Sequence, residues 1–255
     1  MPLEFLPSLD TDSPQGTIGR LTLAQLKPTQ NAVGMDEVRA KADKIAAMDD
    51  KKLSDYLLQR AIPVVIGNPP DDSTPDVDAS TTTGAAAPAC FYLVDHHHLA
   101  AALWMAFGDL STSVFAEVRR NWLPLTGKRF WKALVNNAWL YPFDGLGAGP
   151  LPPDVLAPSV TDLQNDLYRS LAWVVREEYG FVKDPQNPTF AEFRWAAFFR
   201  ERVLFDAQLA ASKDPMALTL ADIERDDPDD YAAQLAFARF LATSPAAAGL
   251  PGFVG

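Results

Sequence analysis

Apolar positions along this chain follow two periods, and the places where one gives way to the other mark its organisation. Ile18 to Leu26 reads as a short strand that runs into Lys27-Pro28-Thr29-Gln30, where proline stops regular pairing. Val38, Ala42, Ile45 and Ala46 then form one helical stripe, which predicts a helix over Asp36 to Met48, and Leu53 to Gln59 predicts a second, shorter one. Ile62 to Ile66 is another β-prone run, closed by Gly67-Asn68-Pro69-Pro70. Asp71 to Pro88, poor in large apolar residues, reads as a mobile hairpin excursion within the unit. Phe91 to Val94 is a further short strand, after which Leu99, Ala102, Leu103 and Ala106 recur at helical spacing.

From Ser113 onward the pattern reads as almost wholly helical, with segments Val114 to Trp122, Arg129 to Asn137, Leu163 to Glu178, Phe190 to Leu204 and Asp230 to Leu241. Pro142 to Pro158, dense in glycine and proline, predicts a loop across the surface. The expected class is therefore α+β. A flexible arm over residues 1–17 leads into a small α/β unit over 18–110, followed by a mainly helical unit over 111–255 packed against it.

Composition narrows the function classes. The 255 residues are 48% hydrophobic, enough to bury a core, and carry 22 basic against 33 acidic residues for a formal net charge of −11. That charge opposes nonspecific contact with a polyanion unless cations are segregated on one face, so DNA is disfavoured as a partner while a small anionic ligand remains compatible. The single cysteine, Cys90, excludes an intramolecular disulfide, and nothing cationic adjoins it to activate the thiol. With no apolar run long enough for a membrane span and no leader pattern at Met1, the chain reads as soluble and cytoplasmic; a leader cleaved ahead of residue 1 would leave no trace.

All three histidines are adjacent, in Asp95-His96-His97-His98, where the strand Phe91 to Val94 becomes a helix. A helix start leaves N–H groups without intrahelical partners and favours negative charge, so a phosphate or carboxylate fits there beside imidazole donors. Side chains turn by about 100° per residue on a helix, so three successive histidines do not converge on one metal ion without an irregular backbone. Asp95 can cap the helix, coordinate Mg²⁺ or orient a histidine tautomer; His97 and His98 can bind an anion or exchange protons near neutral pH, or hydrogen-bond backbone at the helix start.

The helical half offers further cations. Arg169 and Arg176 lie two turns apart on one helical face, placed either to bind a dianion or to salt-bridge with Asp162, Asp166, Glu177 and Glu178. Lys128, Arg129, Trp131 and Lys132 form a basic and aromatic group that can stack a base or simply pack. The Walker-type phosphate loop, the dinucleotide glycine fingerprint, the zinc-protease motif and the hydrolase nucleophile elbow are all absent from the sequence.

The order of a strand, Lys27-Pro28-Thr29-Gln30, a helix bearing Val38 and Lys41, the Pro63-Val64 strand, and a strand into Asp95-His96-His97-His98 resembles the ParB/sulfiredoxin superfamily. More closely it is similar to the branch called ParB-like nucleases. The resemblance covers residues 18 to 107 and continues through Asn165 to Ala172 and Phe190 to Trp195. It implies that the helix-opening motif grips nucleotide phosphates, and that Lys27, Thr29 and Gln30 face it, with Lys41 able to reach the same pocket; a mere turn and a solvated lysine are the alternatives. Sulfiredoxins carry a catalytic cysteine and a His-Arg pair in this motif, whereas here His96 takes the cysteine-like and His98 the arginine-like position, which argues against sulfinic-acid reduction. The helix-turn-helix and dimerisation segment of partition proteins are not apparent either.

Together these readings put Asp95, His96, His97 and His98 forward as catalytic candidates, and Lys27, Thr29, Gln30, Lys41, Arg169 and Arg176 as ligand-binding ones, with Mg²⁺ as the candidate ion. The expected function is binding of a nucleotide or other phosphorylated small molecule, with hydrolysis or phosphoryl transfer as the reaction class. A DNA-binding protein or nuclease and a non-catalytic small-ligand sensor are the competing classes.

Overall fold

The computed structural model describes residues 6–68, 90–125, 127–183, 189–205, 212 and 214–255, so the expected excursion Asp71 to Pro88 lies outside the described residues. The chain divides into two compact units. One comprises residues 1–30, 41–142 and 152–162, the other 31–40, 143–151 and 163–255. These boundaries interleave in sequence and differ from a simple division near residue 110.

The first unit is built on a five-stranded mixed sheet of β1 (Ile18–Thr22), β2 (Leu26–Pro28), β4 (Ile62–Gly67), β5 (Cys90–Leu93) and β6 (Ser113–Asn121), in the order β1-β6-β4-β5-β2. Pairing is antiparallel for β1/β6 and β4/β5 and parallel for β4/β6 and β2/β5. The stretch expected as one strand from Ile18 to Leu26 is broken. The side-chain oxygen of Gln25 accepts the Thr22 N–H at 2.8 Å and a 3-10 turn over Leu23–Gln25 intervenes, so β1 and β2 occupy opposite edges of the sheet. Pro28 is tolerated because β2 is an edge strand.

Val114 to Trp122, expected to be helical, is instead the interior strand β6. Val114, Phe115, Ala116 and Val118 are all buried. Because both faces of this strand are covered, its apolar residues do not alternate, and positions 114, 115, 118 and 122 match a helical stripe equally well. Residues 7–16 also depart from a free arm. Leu9 is buried, its N–H donates to the Arg20 carbonyl, and the Gly16 N–H donates to the Val118 carbonyl.

In this unit α2 (Asp50–Leu58) is capped by Asp49, whose carboxylate accepts the Lys52 N–H at 2.8 Å. The helix α3 (His97–Phe107) follows β5, and α4 (Gly127–Asn136) follows β6. Phe130 and Leu134 of α4 pack with Val65, Tyr92, Val94 and Leu140, bordered by Trp122, Trp131 and Trp139. The Phe130 ring fills the space a side chain would take at Gly67. The boundary at residue 40 falls inside α1 (Met35–Ala46), whose Val38, Ala42 and Ile45 are buried as expected while Ala46 is exposed.

The second unit pairs β3 (Ala32–Val33) with β7 (Gln164–Asn165) in parallel, and its other regular elements among the described residues are helical. Among the described residues its helices are α5 (Leu167–Glu177), α6 (Ala191–Arg200), α7 (Leu220–Asp226) and α8 (Pro228–Ala242), with the beginning of α1. The stretch Leu220–Asp226, unforeseen from the sequence, is closed at its start by Thr219, whose hydroxyl accepts the Asp222 N–H. Helix α6 stops at Arg200, short of the expected Leu204. The core gathers Leu171, Val175, Trp195, Phe199, Ile223 and Ala238, with Phe181 stacked on Trp195 at 4.3 Å between ring centres. Among the described residues no helix is long and apolar enough to cross a membrane.

Candidate functional site

The junction from β5 to α3 has an unusual backbone. His96, the N-cap of α3, sits in the left-handed region at φ 66°, ψ 24°, a conformation that costs a residue with a Cβ about 1–2 kcal/mol. It is reached because Asp95 Oδ1 accepts the His96 N–H at 2.6 Å, folding the chain back before the helix, while the His96 carbonyl accepts the first helical bonds from Leu99 and Ala100. The His96 side chain does not cap the helix. Its Nδ1 lies 3.2 Å from the Arg60 carbonyl, and since a carbonyl only accepts, Nδ1 carries the proton and Nε2 is left as the acceptor in the neutral ring.

His97 has a different task. It is 2% exposed, and its Nε2 accepts the backbone N–H of Thr29 at 3.1 Å, which fixes Nε2 as unprotonated and Nδ1 as the N–H bearing nitrogen, bonded to the Leu93 carbonyl. Thr29 is wholly enclosed. Its hydroxyl donates to the same Leu93 carbonyl at 2.8 Å and its own carbonyl accepts the Tyr141 N–H at 3.0 Å. Burial, then the neighbouring His98 and His96, hold the His97 imidazole well below the usual histidine range, the bond to Leu93 opposing only in part. A ring kept neutral, with both nitrogens engaged, positions the corner and is not available to exchange a proton.

The remaining candidates divide by location. Asp95 is exposed and His96 and His98 are half-buried. Lys27 lies beside Tyr92 in the β2/β5 register and its ammonium donates to the Pro158 carbonyl at 2.8 Å. Thr29 and Gln30 are interior, Gln30 bridging to Tyr141 through the backbone, so their contribution is to the frame of the corner. Lys41 is half-buried on α1. Among the described residues no group of three or more His, Cys, Asp or Glu side chains is arranged to hold a metal ion.

Arg169 and Arg176 belong to the second unit, and there their charges meet carboxylates. Arg169 Nη2 donates to Glu37 Oε2 at 2.9 Å, both side chains being almost fully buried, and Arg176 pairs with Glu192 and with Glu177. Two Arg169 nitrogens, Nε and Nη1, are buried with no hydrogen-bond partner. Burial pushes the Glu192 carboxyl up, but Arg169, Lys183 and Arg176 outweigh it and hold the group at about 2. Salt bridging, one of the two roles open to these arginines, is the one observed. Glu37 as the Arg169 partner had no signal in the sequence, because it lies 132 positions away.

Sequence comparison places residues 20–201 within the family described as "Putative ParB-like nuclease", a stretch that includes Lys27 to Gln30, the histidine corner and α6. Four solved chains match. One is the crystal structure of protein Atu1540 from Agrobacterium tumefaciens, 28% identical, covering 94% of this chain and 98% of that one with a TM-score of 0.68. No curated protein matches.

Proposed function

The chain belongs to the ParB-like nuclease family, and from that premise we propose that it binds the phosphate of a nucleotide or other phosphorylated small molecule at the start of α3 and cleaves or transfers it. The observation that carries this reading is His96. An imidazole held in a strained left-handed N-cap, with its side chain turned away from capping, is a costly arrangement, and such outliers cluster where a ligand is handled. The positive end of the α3 dipole favours an anion at this corner.

In this reading His97 and Thr29 fix the corner, and Lys27 supplies positive charge. His96 Nε2, the acceptor, takes a proton from an attacking water or hydroxyl, and His98, in its protonated form, returns one to the leaving oxygen. Asp95 keeps the His96 backbone in place.

The test is a calorimetric titration with ATP, CTP and ribose 5-phosphate, with and without Mg²⁺, beside a phosphate-release assay. His96→Ala and His98→Ala should weaken binding about tenfold or more while the fold persists, tenfold being a loss of about 1.4 kcal/mol. Wild-type protein that binds none of these would end the reading.

A second reading, action on a polynucleotide, has one observation in its favour: α4 carries exposed Lys128, Arg129 and Lys132 and no acidic residue. Three cations against a net charge of −11 release few counterions, so duplex affinity is expected no better than about 10⁻⁴ to 10⁻⁶ M at physiological salt. Submicromolar binding, or metal-dependent cleavage lost in Asp95→Ala, would place this reading first.

A further inference from the structure

Three residues beside the α3 corner carry charge that the proposed reaction leaves unused. Arg60, in the turn between α2 and β4, meets His96 through its carbonyl, the acceptor for Nδ1–H at 3.2 Å. Its guanidinium goes to α2 instead, with Cζ 4.1 Å from the centre of the Tyr56 ring. Lys44, in the last turn of α1, brings its ammonium to 5.5 Å from the centre of the same ring. Lys44, Tyr56, Arg60 and His96 all belong to the first unit.

Lys44 and Arg60 are exposed, and among the described residues neither forms an ion pair. Their neighbours do: Lys51 pairs with Asp55 and Lys52 with Asp49 on the surface of α2. The Tyr56 ring engages the Arg60 guanidinium through its π-face and consumes none of its N–H donors, and no other described residue accepts from them. The two charges lie closer together than the screening length of about 10 Å in 0.1 M salt, so each raises the cost of the other. An anion held by both relieves that repulsion. In a chain with 33 acidic against 22 basic residues, two unneutralised cations on one ring run against the general balance of charge.

We propose that Arg60 and Lys44 form a second anion subsite beside the start of α3, where they hold a second phosphate of the same ligand. The inference rests on the reading of α3 as a phosphate site and names its substrate class: a small molecule phosphorylated at two places on a sugar-sized frame. Charge and span select the class. Two cations match the dianion of a phosphate, and the free N–H groups of Arg60 supply charge-assisted bonds to its oxygens. Arg60 joins the two places through its own length, its carbonyl at the His96 ring and its guanidinium at Tyr56, so the subsites stand within one arginine side chain of each other. The frame of a pentose or hexose covers that span.

The experiment compares fructose 1,6-bisphosphate with fructose 6-phosphate in calorimetric titrations of the full chain. Wild type should bind the bisphosphate about tenfold or more tightly, a difference of about 1.4 kcal/mol. Arg60→Ala keeps the carbonyl that holds His96, so it should remove this preference and leave fructose 6-phosphate within about twofold of wild type; Lys44→Gln should lower the preference about threefold. Lys52→Ala takes one positive charge from the helix that carries Tyr56 and should leave the preference unchanged. Equal affinity of wild type for the two sugars, a preference that persists in Arg60→Ala, or one lost as fully in Lys52→Ala would overturn the proposal while fructose 6-phosphate binding kept the α3 site standing. If neither sugar phosphate binds, the proposal falls, and ATP and CTP alone decide the α3 reading.

Discussion

The backbone N–H of Thr29 donates to Nε2 of His97 across 3.1 Å, joining two residues 68 positions apart. It ties the proline-bearing end of β2 to the start of α3 and selects the tautomer of a ring that has no access to solvent. Replacing His97 by Ala removes a buried ring and orphans the Thr29 N–H. The expected loss is about 2–4 kcal/mol, combining a cavity and an unsatisfied buried donor, measured by urea unfolding at pH 7.5.

The same ring sets a pH dependence. Because its folded value lies below the ordinary 6.5, the unfolded chain binds the proton first. Stability from this group is complete above pH 6.5 and falls as pH drops toward the folded value, by up to about 1.4 kcal/mol per pH unit. Unfolding from pH 8 to pH 5 should therefore show wild type losing its advantage over His97→Ala as the solution is acidified. A constant gap would mean that His97 titrates normally in the folded protein.

What could be read from the sequence was what local pattern encodes. Ile62 to Ile66, β-branched at every position but Pro63, announced β4, and the helical stripe Val38, Ala42, Ile45 announced α1. The helix start at the histidines followed from Leu99, Ala102 and Leu103. β6 was illegible because burial on both faces erases alternation, and α7 because its cap, Thr219 with Asp222, precedes a helix only seven residues long. At the corner, the three histidines stood out, yet their division of labour rests on the Arg60 carbonyl and the Thr29 N–H, backbone groups that no residue identity reveals. The Asp166–Arg200 pair likewise joins side chains 34 positions apart, a meeting that no local pattern encodes.

Glu192 supports the second unit from within its charge cluster. A carboxyl held at about 2 against an ordinary 4.5 corresponds to about 3 kcal/mol, present above pH 4.5 and lost as pH falls toward 2. Glu192→Gln should cost about 2–3 kcal/mol at pH 7 by the same linkage, with the gap from wild type narrowing below pH 4.5. Denaturation at pH 7, 5, 4 and 3 reads this directly, and a gap that does not depend on pH would assign the loss to packing.

Glu37 and Arg169 form a buried pair whose guanidinium keeps two nitrogens without partners. Glu37→Gln should be expensive, about 3–5 kcal/mol, because it removes the carboxylate paired with Arg169 at 2.9 Å and leaves that buried charge only the through-space attraction of Glu192. The combined variant Glu37→Leu with Arg169→Met removes both charges and should cost at least about 2 kcal/mol less than the two single changes added together. Additive losses would mean that the two side chains act independently.

His96 allows stability and ligand handling to be separated. In ordinary helical or extended backbone, glycine is less stable than alanine by about 0.5–1 kcal/mol, but at φ 66° glycine escapes the 1–2 kcal/mol or so that a Cβ incurs there. His96→Gly should therefore be more stable than His96→Ala, reversing the usual order, and its relief of strain should roughly offset the lost bond to the Arg60 carbonyl, worth about 0.5–1.5 kcal/mol. Both variants lack the imidazole, so both should lose nucleotide affinity to the same extent in calorimetry. If affinity followed stability instead, with His96→Gly retaining binding that His96→Ala loses, the ring would be dispensable and the corner would act through its backbone alone.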